Sequence, residues 1–184
     1  MLMVASKLQL ATSSPLREKE DLLGMVALAF MWALKTPTAP LHFWLPEAHV
    51  EATWGTSVLL ACVFLKISLF GIALFMISHD FGLTLATNLV FVALSLGWAT
   101  LLLVSGADVK RLGAFLSVLH MNGGLAIIMV FGAQASNAIL LLWGVHTFSA
   151  LVYFASIGFV YGRTGSRSVG VLGGLAANPI FVLV

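Results

Sequence analysis

Apolar runs alternate along this chain with short charged clusters. A charged collar, Arg17-Glu18-Lys19-Glu20-Asp21, precedes an apolar run from Leu22 to Leu34. A proline-punctuated stretch follows, Lys35-Thr36-Pro37-Thr38-Ala39-Pro40-Leu41-His42-Phe43-Trp44-Leu45-Pro46-Glu47-Ala48-His49-Val50-Glu51-Ala52. The second run, Val58 to Ile77, ends at Ser78-His79-Asp80, and the third extends from about Leu83 to Val104. Asp108-Val109-Lys110-Arg111 reads as a polar turn. The fourth run, from about Leu112 to Phe131, and the fifth, Ala138 to Tyr161, flank a short loop, Gly132 to Asn137. Arg163-Thr164-Gly165-Ser166-Arg167 closes the fifth. Gly173-Gly174-Leu175 through Val184 looks like the opening turns of a sixth.

A helix needs about 20 apolar residues to cross the hydrocarbon core of a bilayer. The thirteen residues from Leu22 to Leu34 fall short. Counted through Trp44 the segment is long enough, with a break inside it. Pro37 and Pro40 each lack a backbone N–H and push the preceding residue out of the α region. A helix entering from Asp21 should therefore break near Lys35. Inside a bilayer such a break survives only where protein or a water-filled cavity covers the freed backbone groups. The pattern predicts an all-α fold, a polytopic transmembrane helix bundle with one helix broken near Lys35–Pro37. Residues 1–21 form a polar N-terminal segment outside the membrane core, and residues 22–184 a transmembrane domain of about five spans plus a truncated sixth. Ala86, Ala93, Ser95 and Gly97 in the third span allow close helix contact.

Composition strengthens the membrane assignment. Of 184 residues, 60% are hydrophobic and 9% charged, against about 25% charged in a typical soluble domain. The mean hydropathy is +1.06. Too few charges exist to cover a globule, so the solvent is lipid. A net charge of +2 gives no indication of nucleic acid. The single cysteine, Cys62, lies in an apolar run and reads as a small buried hydrophobe. Met1 to Ser14 is mildly apolar, carries Lys7 and no arginine, and resembles neither a signal peptide nor a matrix presequence. A mitochondrial protein with this N-terminus would be made inside the organelle, or have lost its signal.

Alternating spans put the Pro46–Glu51 loop, the Lys110-Arg111 turn and the Arg163/Arg167 loop on one face. The acidic collar, His79-Asp80 and the Gln134 loop fall on the other. Four of the nine basic residues lie in the two short loops of the first face, which the positive-inside rule makes cytoplasmic or matrix-side.

Four ionisable side chains fall inside predicted spans: Lys35, Lys66, His120 and His146. A lysine at a helix centre costs about 2.5–3.5 kcal/mol on insertion scales and usually faces a bundle interior or a wet cavity. Lys66 lies over ~10 Å from either end of its run, too deep to snorkel. It is either an amine satisfied by a carboxylate on another helix or a proton-carrying group whose charge responds to burial and neighbours. Lys35 at the break either caps carbonyls freed by Pro37 or joins the same path. A lone buried histidine is more often a hydrogen-bonded core residue, but histidine titrates near neutral pH, and chains of such groups make a proton path. No Gly-rich phosphate loop, cysteine cluster or His-Glu-x-x-His spacing is present, and Glu47 and His49, two apart on a loop, do not read as a metal site. The expectation is a chain with no redox centre and no cofactor, driven from elsewhere.

The residues also carry a resemblance. Lys35-Thr36-Pro37 with Pro40-Leu41-His42-Phe43-Trp44-Leu45-Pro46-Glu47-Ala48-His49-Val50-Glu51-Ala52 resembles the signature of the subunit 4 family of respiratory NADH dehydrogenase (complex I), one of its antiporter-like membrane subunits. The match continues through Gly55, Ser57-Val58-Leu59-Leu60-Ala61 and Leu65-Lys66. Asp108-Val109-Lys110-Arg111 and Ser117-Val118-Leu119-His120-Met121-Asn122 resemble that family's Asp-Leu-Lys-Lys and Ser-Ser-Val-Ser-His-Met-Asn. Gly144-Val145-His146 resembles its Ser-His-Gly region, and Gly173-Gly174-Leu175 with Asn178-Pro179 its Gly-Gly-Leu…Met-Pro. The resemblance covers about Leu22 to Val184. One departure is Thr53-Trp54, where the family has proline-threonine, which puts the local loop shape in doubt.

The resemblance implies an antiporter-like fold in which Lys35 marks the break of a discontinuous helix and Lys66 is the central lysine of the next. His120 and His146 would continue the polar axis that passes protons between half-channels. It implies a proton-translocating subunit of NADH:ubiquinone oxidoreductase, a translocase of the respiratory electron-transport chain, in the mitochondrial or alternatively bacterial inner membrane. The family subunit is more than twice as long. Its glutamate partner for Lys35 would precede residue 1, so one piece of a split subunit is expected. Its partners would be other membrane-arm subunits of complex I, chains carrying the missing helices, and membrane lipids, with no nucleic acid. Two alternatives remain open: a structural, non-pumping fragment of the same complex, or a subunit of the related sodium/proton antiporter.

Overall fold

The computed structural model describes Ala27, Phe30, Met31 and residues 33–78 and 82–174. The expectations for the 1–21 segment, for most of the first apolar run, for His79-Asp80 and for the run after Gly174, including Asn178-Pro179, lie outside these residues.

Residues 33–35 are helical, and the helix gives way to a turn at Thr36-Pro37, where the prolines predict a break. The chain then enters helix α1, Trp44–Glu51. This corrects the expectation of a loop over Pro46–Glu51. Pro46 is the third residue of α1, where a helix has no acceptor for an N–H in any case. Glu47 in the same first turn complements the positive end of the helix dipole.

Helix α2, Trp54–Leu59, is capped by Thr53, whose hydroxyl accepts from the Thr56 N–H at 3.4 Å. Thr53 adopts φ −64°, the angle a proline ring imposes. Where the resemblance implies a proline, Thr53 thus keeps the backbone shape a proline would impose and adds a cap. A π-helical turn, Leu60–Phe64, links α2 to α3, Leu65–Ser78. Helix α4 spans Gly82–Ser105, α5 Val109–Phe131, and α6 Ser136–Thr164.

Two further turns differ from expectation. Asp108-Val109-Lys110-Arg111 is the capped start of α5. The Asp108 carboxylate accepts from the N–H groups of Lys110 (2.8 Å) and Arg111 (3.3 Å), so aspartate sets the boundary and the lysine and arginine are helical. The loop expected over Gly132–Asn137 is one 3₁₀ turn, Gly132–Ala135, and Asn137 already belongs to α6. Gly132 ends α5 at φ +54°, which a side chain would resist.

Trp54–Gly71, Asn88–Ser105, Val109–Phe131 and Ser136–Thr164 are long and apolar enough to cross a membrane. Among the described residues there is no strand, only an isolated antiparallel bridge between Asp108 and Ser168. Helix α5 is the hub, packing on α1, α3, α4 and α6. Its Val118, Met121, Leu125 and Ile128 form the buried core with Leu45, Leu65, Leu69, Val92 and Ile139. The outer faces of α4 and α6 expose Leu101, Val104, Leu141 and Phe148, as a lipid-facing surface requires. The architecture is an all-α membrane helix bundle.

The three segments expected to share one face do meet. Arg111 pairs with Glu47 at 2.8 Å, Arg167 donates to the Val50 carbonyl at 2.7 Å, and Arg167 Nε lies 3.9 Å from Asp108. Lys110 Nζ donates to the Ala52 carbonyl, and Ser57 Oγ to that of His49 at 3.3 Å. The last carbonyls of α1 are therefore held by two cations and a hydroxyl, which suits the negative end of a helix.

Candidate functional site

The break after Lys35 is covered by protein. Trp44 Nε1 donates to the Leu34 carbonyl at 2.8 Å, and Asn122 Nδ2 of α5 to that of Pro37 at 3.1 Å. The Ala39 N–H finds Ser95 Oγ of α4 at 2.6 Å, and Thr38 Oγ1 reaches the Thr36 carbonyl. Pro37 is buried and Pro40 exposed; the Ala39–Pro40 peptide is cis. Two of the freed carbonyls are thus taken by an indole and an amide. Lys35 itself is exposed on the chain surface.

Lys66 sits two residues after the π turn Leu60–Phe64. Its Nζ folds back 2.5 Å from the Ala61 carbonyl and lies 2.5 Å from His146 Nδ1 of α6. The sulfur of Cys62, in the same turn, faces the Thr147 carbonyl at 3.3 Å. π-helical turns frequently occur at functional sites. Here the turn presents a carbonyl to the lysine and brings this part of the rod against α6. His146 is buried, and the ring of His120, half-buried on α5, stands 5.0 Å from it centroid to centroid, tilted by 60°. Among the described residues no carboxylate pairs with Lys66, which meets an imidazole and a carbonyl instead.

The contact between Lys66 and His146 is chemically reversible. An ammonium donates and His146 Nδ1 accepts; a neutral amine can instead accept from Nδ1–H. One proton can change sides with little movement of heavy atoms. A cavity of about 180 Å³ adjoins the two histidines between α5 and α6, lined also by Ser117, Ser149 and Tyr153. It has room for several waters. The structure thus joins Lys66, His146 and His120; Lys35 is not among their contacts.

Other buried polar groups were visible in the sequence but not assigned to the site. Asn122 carries the same signal as Lys66, a polar side chain in an apolar run, and it ties α5 to the break. Its Oδ1 is buried and unpartnered. His42 is buried with both ring nitrogens unpartnered, beside a second cavity of about 390 Å³ that reaches Trp98, Ser105 and the Glu47–Arg111 pair. His49 is fully buried and stacked on Phe154 at 4.6 Å and 4°, again with neither nitrogen partnered. Burial, reinforced by the nearby Lys110 charge, lowers its pKa to about 4. No groups of three or more metal-ligating side chains occur among the described residues.

A family model described as "NADH:quinone oxidoreductase/Mrp antiporter, TM" matches residues 3–184. The chain belongs to this family. Within the antiporter family, it is 31% identical over 174 residues to NADH-ubiquinone oxidoreductase chain 4 of Triticum aestivum, covering 93% of this chain and 35% of that one. It is 32% identical to chain 4 of Marchantia polymorpha, covering 95% and 36%. NADH-quinone oxidoreductase subunit M of Rhodobacter capsulatus is 32% identical, covering 87% and 32%. The chain spans about a third of the length of these curated relatives.

Proposed function

We propose that this chain is a proton-translocating part of the membrane arm of NADH:quinone oxidoreductase, with no redox centre of its own. The observation that carries the reading is the junction of Lys66 and His146, with His120 beside them and a cavity at the pair. An amine and two imidazoles can each hold or release a proton, and a static core would gain nothing from burying them. The names of the relatives favour the oxidoreductase over the sodium/proton antiporter.

In this reading Lys66 holds the proton, His146 takes it by exchange at Nδ1, and His120 continues the path into α5. Lys35, exposed at the break, extends the axis toward a counter-charge on a neighbouring subunit. The covered break leaves that segment free to shift without exposing backbone to lipid. The partners are other membrane-arm subunits and lipid, and the location is a mitochondrial or bacterial inner membrane. The basic face of Lys110, Arg111, Arg163 and Arg167 is then the matrix or cytoplasmic side.

The test is Lys66→Ala in the assembled complex. NADH:ubiquinone turnover and the coupled pH gradient are expected to fall together. Unchanged proton pumping would leave a structural role and overturn the proposal.

A further inference from the structure

The cavity beside His120 and His146 has a direction. Its α5 wall includes Gly113, Ser117 and His120, and its α6 wall His146, Ser149 and Tyr153. In each set the first and last residues are seven positions apart, or ~10 Å of helix axis. Tyr153 donates to the Val109 carbonyl at 2.9 Å, which fixes the far end of the cavity at the start of α5. The cavity therefore leads from the central histidines toward the basic face. Gly113 makes room there: a Cβ at that position would stand 2.4 Å from the Tyr153 ring.

At that end the wall is Phe154, and behind Phe154 lies His49. A phenyl ring would offer the same stacking face to Phe154 with no polar atom to bury. An imidazole instead leaves two polar nitrogens buried and unpartnered, which is unfavourable for a group with no role. Beyond His49 come the charged groups of the basic face. Lys110 is bound to the Ala52 carbonyl and Arg167 to that of Val50, with Asp108 beside Arg167.

We propose that His49 is a proton-relay residue between the α5–α6 cavity and the basic face, with Phe154 as the shutter that separates them in the closed state seen here. This rests on the proton-translocating reading above. With Phe154 stacked against it, His49 is fully buried and cut off from the cavity, and the path is shut. When the phenyl ring turns away, one imidazole nitrogen meets cavity water while the other faces the Lys110 side. The ring can then accept a proton on one nitrogen and release one from the other, with no net change in its own charge. A histidine lodged behind an aromatic ring gives a path that opens by one side-chain rotation.

The experiment uses the intact complex in membranes, with Lys66→Ala as reference. His49→Phe preserves the ring and removes both nitrogens. It is expected to assemble normally and to lose coupled turnover by about tenfold or more, as removal of a proton-transfer group does. His49→Ala leaves a ring-sized space. Added imidazole should restore turnover there, whereas pyrrole, which fills the same space without a basic nitrogen, should not. Phe154→Ala is expected to raise passive proton leak across the membrane. If His49→Phe turns over normally while Lys66→Ala does not, the relay is wrong and the translocating reading stands. If both are normal, the reading itself fails. Should His49→Phe fail to assemble, equal rescue of His49→Ala by imidazole and pyrrole would show a packing role and overturn the proposal.

Discussion

Lys66 and His146 meet nitrogen to nitrogen at 2.5 Å, from helices α3 and α6, eighty residues apart in the chain. The pair has no carboxylate on it among the described residues, so its charge is set by how one proton is divided between amine and imidazole. A group that must gain and lose a proton cannot be replaced by one that keeps it. Lys66→Arg preserves the charge, but a guanidinium does not deprotonate in proteins. Lys66→Arg is therefore expected to lower coupled turnover as severely as Lys66→Ala, measured as NADH:ubiquinone activity with the pH gradient. Retained activity in Lys66→Arg would mean that positive charge alone suffices.

Asn122 predicts a stability effect separate from proton transfer. Asn122→Leu removes the donor to the Pro37 carbonyl and leaves that carbonyl at the broken helix without this partner. The cost is about 1–3 kcal/mol. The variant should lower the amount of assembled complex and its melting temperature. Wild-type melting would show that the break does not depend on α5.

The clamp on α1 allows two kinds of charge to be compared. Lys110 is buried and bound to the Ala52 carbonyl, whereas the Arg111–Glu47 pair is exposed, at 46% and 62% of side-chain surface. Exposed pairs contribute about 0–1 kcal/mol, while a cation satisfying helix-end carbonyls in a partly buried setting contributes up to ~2 kcal/mol. Lys110→Met should destabilise the assembled complex more than Glu47→Gln. A thermal-shift series on both variants checks the order, and the reverse ranking contradicts it.

Burial holds the pKa of His49 at about 4, below its ordinary 6.5. The group is neutral when folded and gains a proton more readily when unfolded. Its contribution to stability is complete above pH 6.5 and is lost as pH falls through that value toward 4. The melting temperature of the wild-type complex should therefore drop across that window more steeply than that of His49→Phe. Parallel curves would show that His49 does not titrate there.

Four spans among the described residues were legible because each is an apolar run of membrane-crossing length, and the break because two prolines follow Lys35. The helix over Trp44–Glu51 was not, because Pro46 reads as a breaker unless its place in the first turn is known. The π turn at Leu60–Phe64 has no residue signature; its neighbours are ordinary apolar side chains. Lys66, His120 and His146 stood out as charges or imidazoles in apolar runs, but nothing in spacing shows that the first and last touch. His49 was hidden for the opposite reason: its partner, Phe154, is apolar, and apolar neighbours leave no chemical signal in sequence.

The central claim is that Lys66 and His146 act as one proton-carrying unit. A double-mutant cycle on coupled proton pumping tests it, comparing Lys66→Ala, His146→Ala and the pair combined in the same membranes. The account predicts that either single change abolishes most of the pumping and that the double variant is no worse than the poorer single. Losses that multiply, as for two independent sites, would contradict it.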